Sequence, residues 1–468
     1  MYGIVSVIIG VVLVGWLILK KFYAPWALLM VGLILLTVVG IGSQTPLLTN
    51  KTATNTLVFD IVQVIHNVSK STLAGLGLQI MIISGFANYL DRIGATKTLV
   101  NICAKPLAMI RAPYILLGVA YVVGQIVNIF IPSAVGLGVL MMLTVFPLLM
   151  AVGVSRVSAA AVIVTMSCLD LGPGSANSIV TAKLSGITAM EYFVESQIPV
   201  AIVTVIAISV AHVVLQKWFD KRDLEAGRLT PDDFKLAAPV EATGVAKQPD
   251  APLYYAILPV LPIVLLFVFS KFCITTVRLQ LETAILACIL IAFLTDLATH
   301  RDFKDCVART KTIFTGMGKV FTTTVALIIC AGVFAEGLKV TGGLNTIIGA
   351  AASFQNAGGF LMLFVMCAIL MVAAVVTGSA NAAFFAFSSL IPEAAKSVAW
   401  QTVVMACPVQ LVSGIARSMS PIAGVAMAVS SIAGVSPFAV VRRTIPVMVI
   451  GAIATVVSSL VLPDRRRA

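Results

Sequence analysis

The stretch LVSGIARSMSPIAGVAM, residues 411–427, is small and apolar on both flanks, yet Arg417 stands in its middle, followed by Ser418, Ser420 and Pro421. A second run, MSCLDLGPGSANSIV at residues 166–180, sets Asp170 in equally apolar surroundings, again just before Gly, Pro and Ser. An arginine at mid-bilayer costs at least ~2.5 kcal/mol on insertion scales, so it normally has a partner and a purpose. Two readings of Arg417 follow. It is a counter-charge for a carboxylate, which a planar guanidinium grips with two hydrogen bonds, or it pairs internally with Asp170, 247 residues away.

The surroundings are those of a membrane protein. Of 468 residues, 60% are hydrophobic and 11% charged, with a mean hydropathy of +1.07. Soluble proteins carry about 25% charged residues. Runs at residues 3–19, 24–42, 198–215, 254–272 and 444–462 approach or reach the ~20 apolar residues that cross a bilayer. The expected class is an all-α polytopic membrane protein. Lys20 and Lys21 follow the first apolar run instead of preceding it, so the start of the chain is expected to be a plain span and not a cleavable signal. The net charge of +12 is concentrated in short loops, as the positive-inside rule expects, and implies no nucleic-acid partner. The eight cysteines form no C-x-x-C pair, and the three histidines (His66, His212, His300) are placed in loops or at span ends. No metal site or cofactor is expected.

A charged, Pro-containing linker at 217–252 divides the chain into halves, 1–216 and 253–468. The halves repeat. IISGFANYLDRIGA around Gly85 matches ICAGVFAEGLKVTGG around Gly332, Pro173 matches Pro421, and Ile198-Pro199-Val200 matches Ile445-Pro446-Val447. Basic segments, among them Lys20-Lys21, Arg156, residues 301–311 and Arg442-Arg443, all fit one cytoplasmic side. That leaves both termini periplasmic, with Arg465–Arg467 the exception. The first half then crosses an odd number of times, and the repeats are expected to be inverted, as in many secondary transporters.

Each half holds two places where a helix should not continue: residues 128–138 and 169–178, then 376–384 and 416–424. Gly and Pro there destabilise helix interiors, and such backbone survives at membrane depth only inside protein or beside a watery cavity. Half-helices starting at the breaks offer unpaired N–H groups and a positive dipole end to an anion. Freed carbonyls could take Na⁺. Small residues such as Gly-Ser-Ala-Asn also serve close helix packing, but four breaks in register favour one shared site. The first and third breaks are expected to be tips of re-entrant hairpins. Asp170 either couples transport to H⁺ or Na⁺ or holds Arg417 while no substrate is bound. Phe384, Phe385 and Phe387 are expected to be core.

The motifs N-x-F-I-P-S (128–133), T-G-S-x-N-A-x-F (377–384) and R-x-x-S-P (417–421), with SPFAVVRRTIPV (436–447), resemble the DcuC family of anaerobic C4-dicarboxylate transporters. The resemblance covers nearly the whole chain. It implies the ion transporter superfamily: a scaffold plus a mobile transport domain, a homodimer in a bacterial inner membrane, and elevator-like movement. Substrates would be succinate, fumarate, malate and aspartate, by uptake, exchange or efflux, with H⁺ or Na⁺ as possible co-transported ion. Carried onto this chain, the substrate-binding positions are Asn128, Ser133, Ser175, Asn177, Thr377, Gly378, Ser379, Asn381, Arg417, Ser418 and Ser420. Asp170, a departure from the family pattern, is the candidate for ion coupling on its own setting in the apolar run. Ala380 and Ala383 stand where the family commonly has Gly and Pro.

The alternatives are a carrier of the same architecture for another carboxylate, such as an amino acid or peptide-like anion, and an intramembrane enzyme. The second is disfavoured because the chain has no H-E-x-x-H or G-x-S-x-G. A Walker-type nucleotide loop is also missing.

Overall fold

The computed structural model describes residues 2–20, 22–42, 47–48, 53–54, 56–235, 249–277, 279–342 and 358–461. Among them every regular element is a helix, and nine helices are long and apolar enough to cross a membrane. Arg465–Arg467 and the middle of the linker lie outside the described residues.

In chain order the first half contains α1 (Tyr2–Leu19), α2 (Ala24–Gly42), α3 (Leu57–Arg92), α4 (Ala95–Ala104), α5 (Pro113–Phe130), α6 (Ala134–Ala151), α7 (Arg156–Thr165), α8 (Ala176–Leu184) and α9 (Ala189–Glu225). The second contains α10 (Leu261–Val268), α11 (Leu281–His300), α12 (Phe303–Val340), α13 (Gly358–Thr377), α14 (Ala380–Ser388), α15 (Ile391–Ser397), α16 (Thr402–Arg417), α17 (Gly424–Ala433) and α18 (Pro437–Val461).

The helix order recurs between the halves in local detail. Long helix α3 widens into a π turn at Leu73–Gly77, and α12 does so at Phe321–Val325. These two helices pack against each other antiparallel. Ser84 donates to the Gly316 carbonyl at 3.1 Å near one end, Gly77 meets Val325 at the middle, and Gly332 meets Val68 towards the other end. Helices α9 and α18 form a second antiparallel pair, with the Thr204 and Thr455 hydroxyls 3.0 Å apart and Gln216 Nε2 donating to the Arg443 carbonyl at 3.4 Å. Glycines set the close approaches that membrane helices need in place of a hydrophobic drive. A Cβ on Gly32 of α2 would stand 2.8 Å from the Phe334 Cα of α12.

Helices α5 and α6 form a hairpin whose two ends return to one level. Tyr114 at the start of α5 and Ser155, just before α7, both donate to Asp220, at 3.2 and 2.6 Å. The second half repeats this shape. Gly359 and Phe360, at the start of α13, lie against Trp400, the Phe360 and Trp400 rings 5.5 Å apart between centroids. Phe384, Phe385 and Phe387 of α14 are buried, as core side chains.

Packing sorts the helices into two groups. One comprises α1, α2, α3, α11 and α12; the other comprises α5 to α9 with α13 to α18, built around the hairpins and interrupted helices. Helix α4 touches both, α12 also packs on α14 and α1 on α13, and α10 packs on α11.

Four sequence expectations change here. The run at 254–272 is not one helix: Pro259 and Pro262 lack the N–H that a helix interior needs, leaving a 3₁₀ turn at Leu253–Ile257 and the short α10. Helix α9 continues to Glu225, past the expected start of the linker. His212 is not at a span end but fully buried inside α9, its Nε2 2.9 Å from the Thr165 hydroxyl. Arg443 is not a loop charge. It is buried in α18, paired with Asp220 and with Asp223, the latter at 2.8 Å, and hydrogen-bonded to Ser158 at 2.6 Å.

Candidate functional site

The helix α7 ends at Thr165 and α8 begins at Ala176; between them residues 166–175 are non-helical. Helix α16 ends at Arg417 and α17 begins at Gly424. These two interruptions meet. Arg417 forks Asp170, with its two terminal nitrogens 3.4 Å from Oδ2 and 3.2 Å from Oδ1. One of those nitrogens also donates to the Ser167 carbonyl at 2.6 Å. Both side chains are almost sealed, 12% and 10% exposed. Asn177, on the first turn of α8, donates to Asp170 Oδ2 at 3.2 Å. The internal pair, one of the two sequence readings of Arg417, is therefore present.

Asp170 has a φ of 46°, in the left-handed region that side chains with a Cβ rarely enter. A network of buried side chains holds it there. Gln197 accepts from the Gly172 amide at 3.0 Å and donates to Ser178 Oγ and to Gln410 Oε1, each at 3.0 Å. Gln410 donates to the Leu169 carbonyl at 3.2 Å and accepts from Tyr192 at 2.8 Å. Both glutamines are fully buried. Backbone that left the helix at membrane depth is thus satisfied by side chains, as it must be. Gly414 lets α16 approach this loop, since a Cβ there would lie 2.4 Å from the Cys168 carbonyl.

The hairpin tips close on the interruptions. Asn128, buried, donates to the Ile131 carbonyl at 3.2 Å and accepts from the Leu171 amide at 3.3 Å, stapling the first tip to the first interruption. Gly378, at a φ of 67°, brings the second tip against the backbone of Ile422 and Ala423; a Cβ there would be 2.9 Å from the Ala423 nitrogen. No residue but glycine meets both demands without strain.

The remaining sequence-predicted residues fall in three groups. Ser133 and Ser379 are N-caps, accepting from Gly136 and Ala382 amides at 3.1 Å each. Thr377 donates to the Ala373 carbonyl at 2.8 Å, and Asn381 is half-buried on the first turn of α14. Ser175 precedes α8 without a capping bond from its side chain, and Ser418 is buried with its carbonyl accepting from Thr444 at 2.7 Å. Three buried polar atoms beside this centre have no hydrogen-bond partner: Arg417 Nε, Asn177 Oδ1 and Ser420 Oγ. The sequence reading missed Gln197, Gln410 and Ser167. Amides inside the apolar runs ESQIPV and CPVQLV were the available signal.

Among the described residues no group of three or more His, Cys, Asp or Glu could hold a metal ion. Interrupted helices and hairpin tips converging on a buried ion pair, in a bundle of membrane-spanning length, define a membrane transport protein. The family model of the DcuC C4-dicarboxylate anaerobic carrier matches residues 2–462, and the chain belongs to that family. It is a transporter and not an enzyme. The anaerobic C4-dicarboxylate transporter DcuC of Escherichia coli K12 is 33% identical, over 100% of this chain and 99% of its own. The probable anaerobic C4-dicarboxylate transporter DcuC of Vibrio cholerae is 32% identical, over 98% of each chain. Among solved structures the fold is similar to the YdaH transporter of Alcanivorax borkumensis, with a TM-score of 0.59 and 13% identity over 92% of this chain and 96% of that one. It is also similar to Neisseria gonorrhoeae MtrF, with a TM-score of 0.54 and 12% identity over 94% and 95%.

Proposed function

We propose that the protein is a secondary carrier of C4-dicarboxylates (succinate, fumarate, malate and aspartate) in a bacterial inner membrane, working by uptake, exchange or efflux coupled to H⁺ or Na⁺. The observation that carries the reading is the Arg417 guanidinium, held at an interrupted helix in the geometry that grips a carboxylate. Full-length likeness to proteins named as C4-dicarboxylate transporters supports the substrate class. Arg417 takes one carboxylate. The unpartnered Ser420 and Asn177 atoms, with the N-termini of α17 and α8, offer further polar contacts.

In this reading residues 1–216 and 253–468 are inverted repeats joined by the 217–252 linker, and the antiparallel pairing of α3 with α12 and of α9 with α18 supports it. The hairpins α5–α6 and α13–α14 are re-entrant, with Ser133, Thr377, Gly378, Ser379 and Asn381 at tips that gate the site alongside Asn128, Ser175 and Ser418. The group of helices around the interruptions is the moving domain of an elevator, the other is a scaffold that dimerises, and both termini are periplasmic.

The test is equilibrium binding of labelled succinate to purified protein. Competition by fumarate, malate and aspartate but not by acetate is the expected result. Competition by a larger amino-acid or peptide-like anion, with none by the C4 acids, would move the protein to another carboxylate.

A further inference from the structure

At rest, the carboxylate that Arg417 holds is the protein's own. We propose that Asp170 is an internal stand-in for the substrate: the dicarboxylate displaces it from Arg417, and the displaced Asp170 takes up one proton, which makes proton coupling a property of the binding step. This inference rests on the dicarboxylate reading above.

Charge balance is the argument. Asp170 and Arg417 together are neutral and nearly sealed from water. A dicarboxylate that takes over the guanidinium brings two negative charges and leaves Asp170 with a third, against a single positive one. The charged and titratable groups facing Asp170 are Arg417 from α16 and Cys168 in its own loop, whose Sγ lies 3.3 Å from Tyr121 of α5. From α9 the facing group is the Gln197 amide, which meets Gln410 of α16 and, through it, Tyr192 of α9. No second cation among them can take over the carboxylate. An unpaired charge in such a site is neutralised or expelled, and a proton neutralises it while Asn177 keeps its hydrogen bond to the acid.

The same loop favours a proton over Na⁺. A sodium ion needs a shell of several oxygens, and three carbonyls of the Asp170 loop already accept side-chain hydrogen bonds. Ser167 O accepts from Arg417 at 2.6 Å, Leu169 O from Gln410 at 3.2 Å, and Asp170 O from Ser178 at 3.3 Å. Among the side chains, Asn177, which donates to Asp170, has an unpartnered oxygen in Oδ1. A proton needs only Asp170 itself.

The experiment measures protons taken up when succinate binds to the purified, intact carrier in weakly buffered solution with a pH indicator. It runs between about pH 6.5 and 8.5, where succinate is a dianion and free carboxylates are ionised. The expected result is one proton per succinate bound, with Kd rising about tenfold per pH unit. Asp170→Asn should bind succinate with no proton taken up and a Kd flat across the range. A purely structural Asp170 would instead give an Asn variant that is weaker at every pH with the proton count unchanged. Succinate binding to the unaltered protein without a linked proton, or binding that requires Na⁺ in its place, overturns the inference whether or not the variant folds. Absence of succinate binding overturns the dicarboxylate reading and this one with it.

Discussion

Gln197 donates to Gln410 across 3.0 Å, joining a residue of the first half to one 213 positions later in the second. Between them they hold three backbone groups of the interrupted segment: the Leu169 and Asp170 carbonyls and the Gly172 amide. Gln410→Leu removes the donor to Leu169 and one acceptor of Tyr192, leaving the Leu169 carbonyl buried and unpaired. Such a group costs about 1–3 kcal/mol. Thermal unfolding of the detergent-solubilised variant should fall by several degrees, with substrate affinity lost as the Asp170 loop shifts. Gln410→Glu, which keeps the acceptor for Tyr192, should fall between the two.

Arg417→Ala should leave transport undetectable. Truncating one partner of a buried hydrogen-bonded charge pair costs about 2–5 kcal/mol, and here the lost partner is also the proposed anchor of the substrate. Arg417→Lys should recover only a fraction of the affinity, since an ammonium cannot reproduce the two-pronged contact with Asp170. Succinate binding measured on both variants checks this; equal affinity in the Lys variant would show that the fork is not used.

A second ion cluster should govern stability instead of binding. Arg443 pairs with Asp220 and Asp223 and bonds Ser158, linking α18 to α9 and α7. Arg443→Ala strands the Asp220 carboxylate in a buried site, whereas Asp223 keeps Arg228 at 2.7 Å; removing one partner of a buried pair costs about 3–5 kcal/mol. Adding Asp220→Ala should restore part of the loss, so the double variant unfolds at a higher temperature than Arg443→Ala alone.

Two glycine changes should separate close packing from mere helicity. Gly414→Ala puts a Cβ 2.4 Å from the rigid Cys168 carbonyl and so pushes α16 off the Asp170 loop. Overpacking of this kind costs about 1–3 kcal/mol, and transport should fall sharply. Gly318→Ala in α12 meets nothing within 4 Å. It should be neutral or stabilising by up to about 1 kcal/mol, from helix propensity alone. Transport and melting temperature measured on the two variants make the comparison.

These residues differ in how legible they were. Arg417 and Asp170 announced themselves because charge in an apolar run is expensive and rare, and the repeat placed them together. The helical membrane class followed from hydropathy in the same way. Gln197 and Gln410 carry no charge, and a lone amide in an apolar run has many innocent uses, so their bracing role became visible only when α9 and α16 were seen side by side. Arg443 was misread because it sits in a basic Arg442-Arg443 pair near the start of a helix, where the positive-inside pattern also puts arginines; its carboxylate partners lie more than 200 positions upstream. His212 was misplaced for a related reason. The apolar run of α9 ends at Leu215, three residues past it, while the helix continues to Glu225.

The most direct test of the account is counterflow in proteoliposomes preloaded with unlabelled succinate, following entry of labelled fumarate. The account predicts rapid entry that depends on internal succinate, is competed by external malate or aspartate, and disappears in Arg417→Ala. Folded, membrane-inserted protein that shows no succinate-dependent fumarate entry, or an Arg417→Ala variant that exchanges normally, would contradict it.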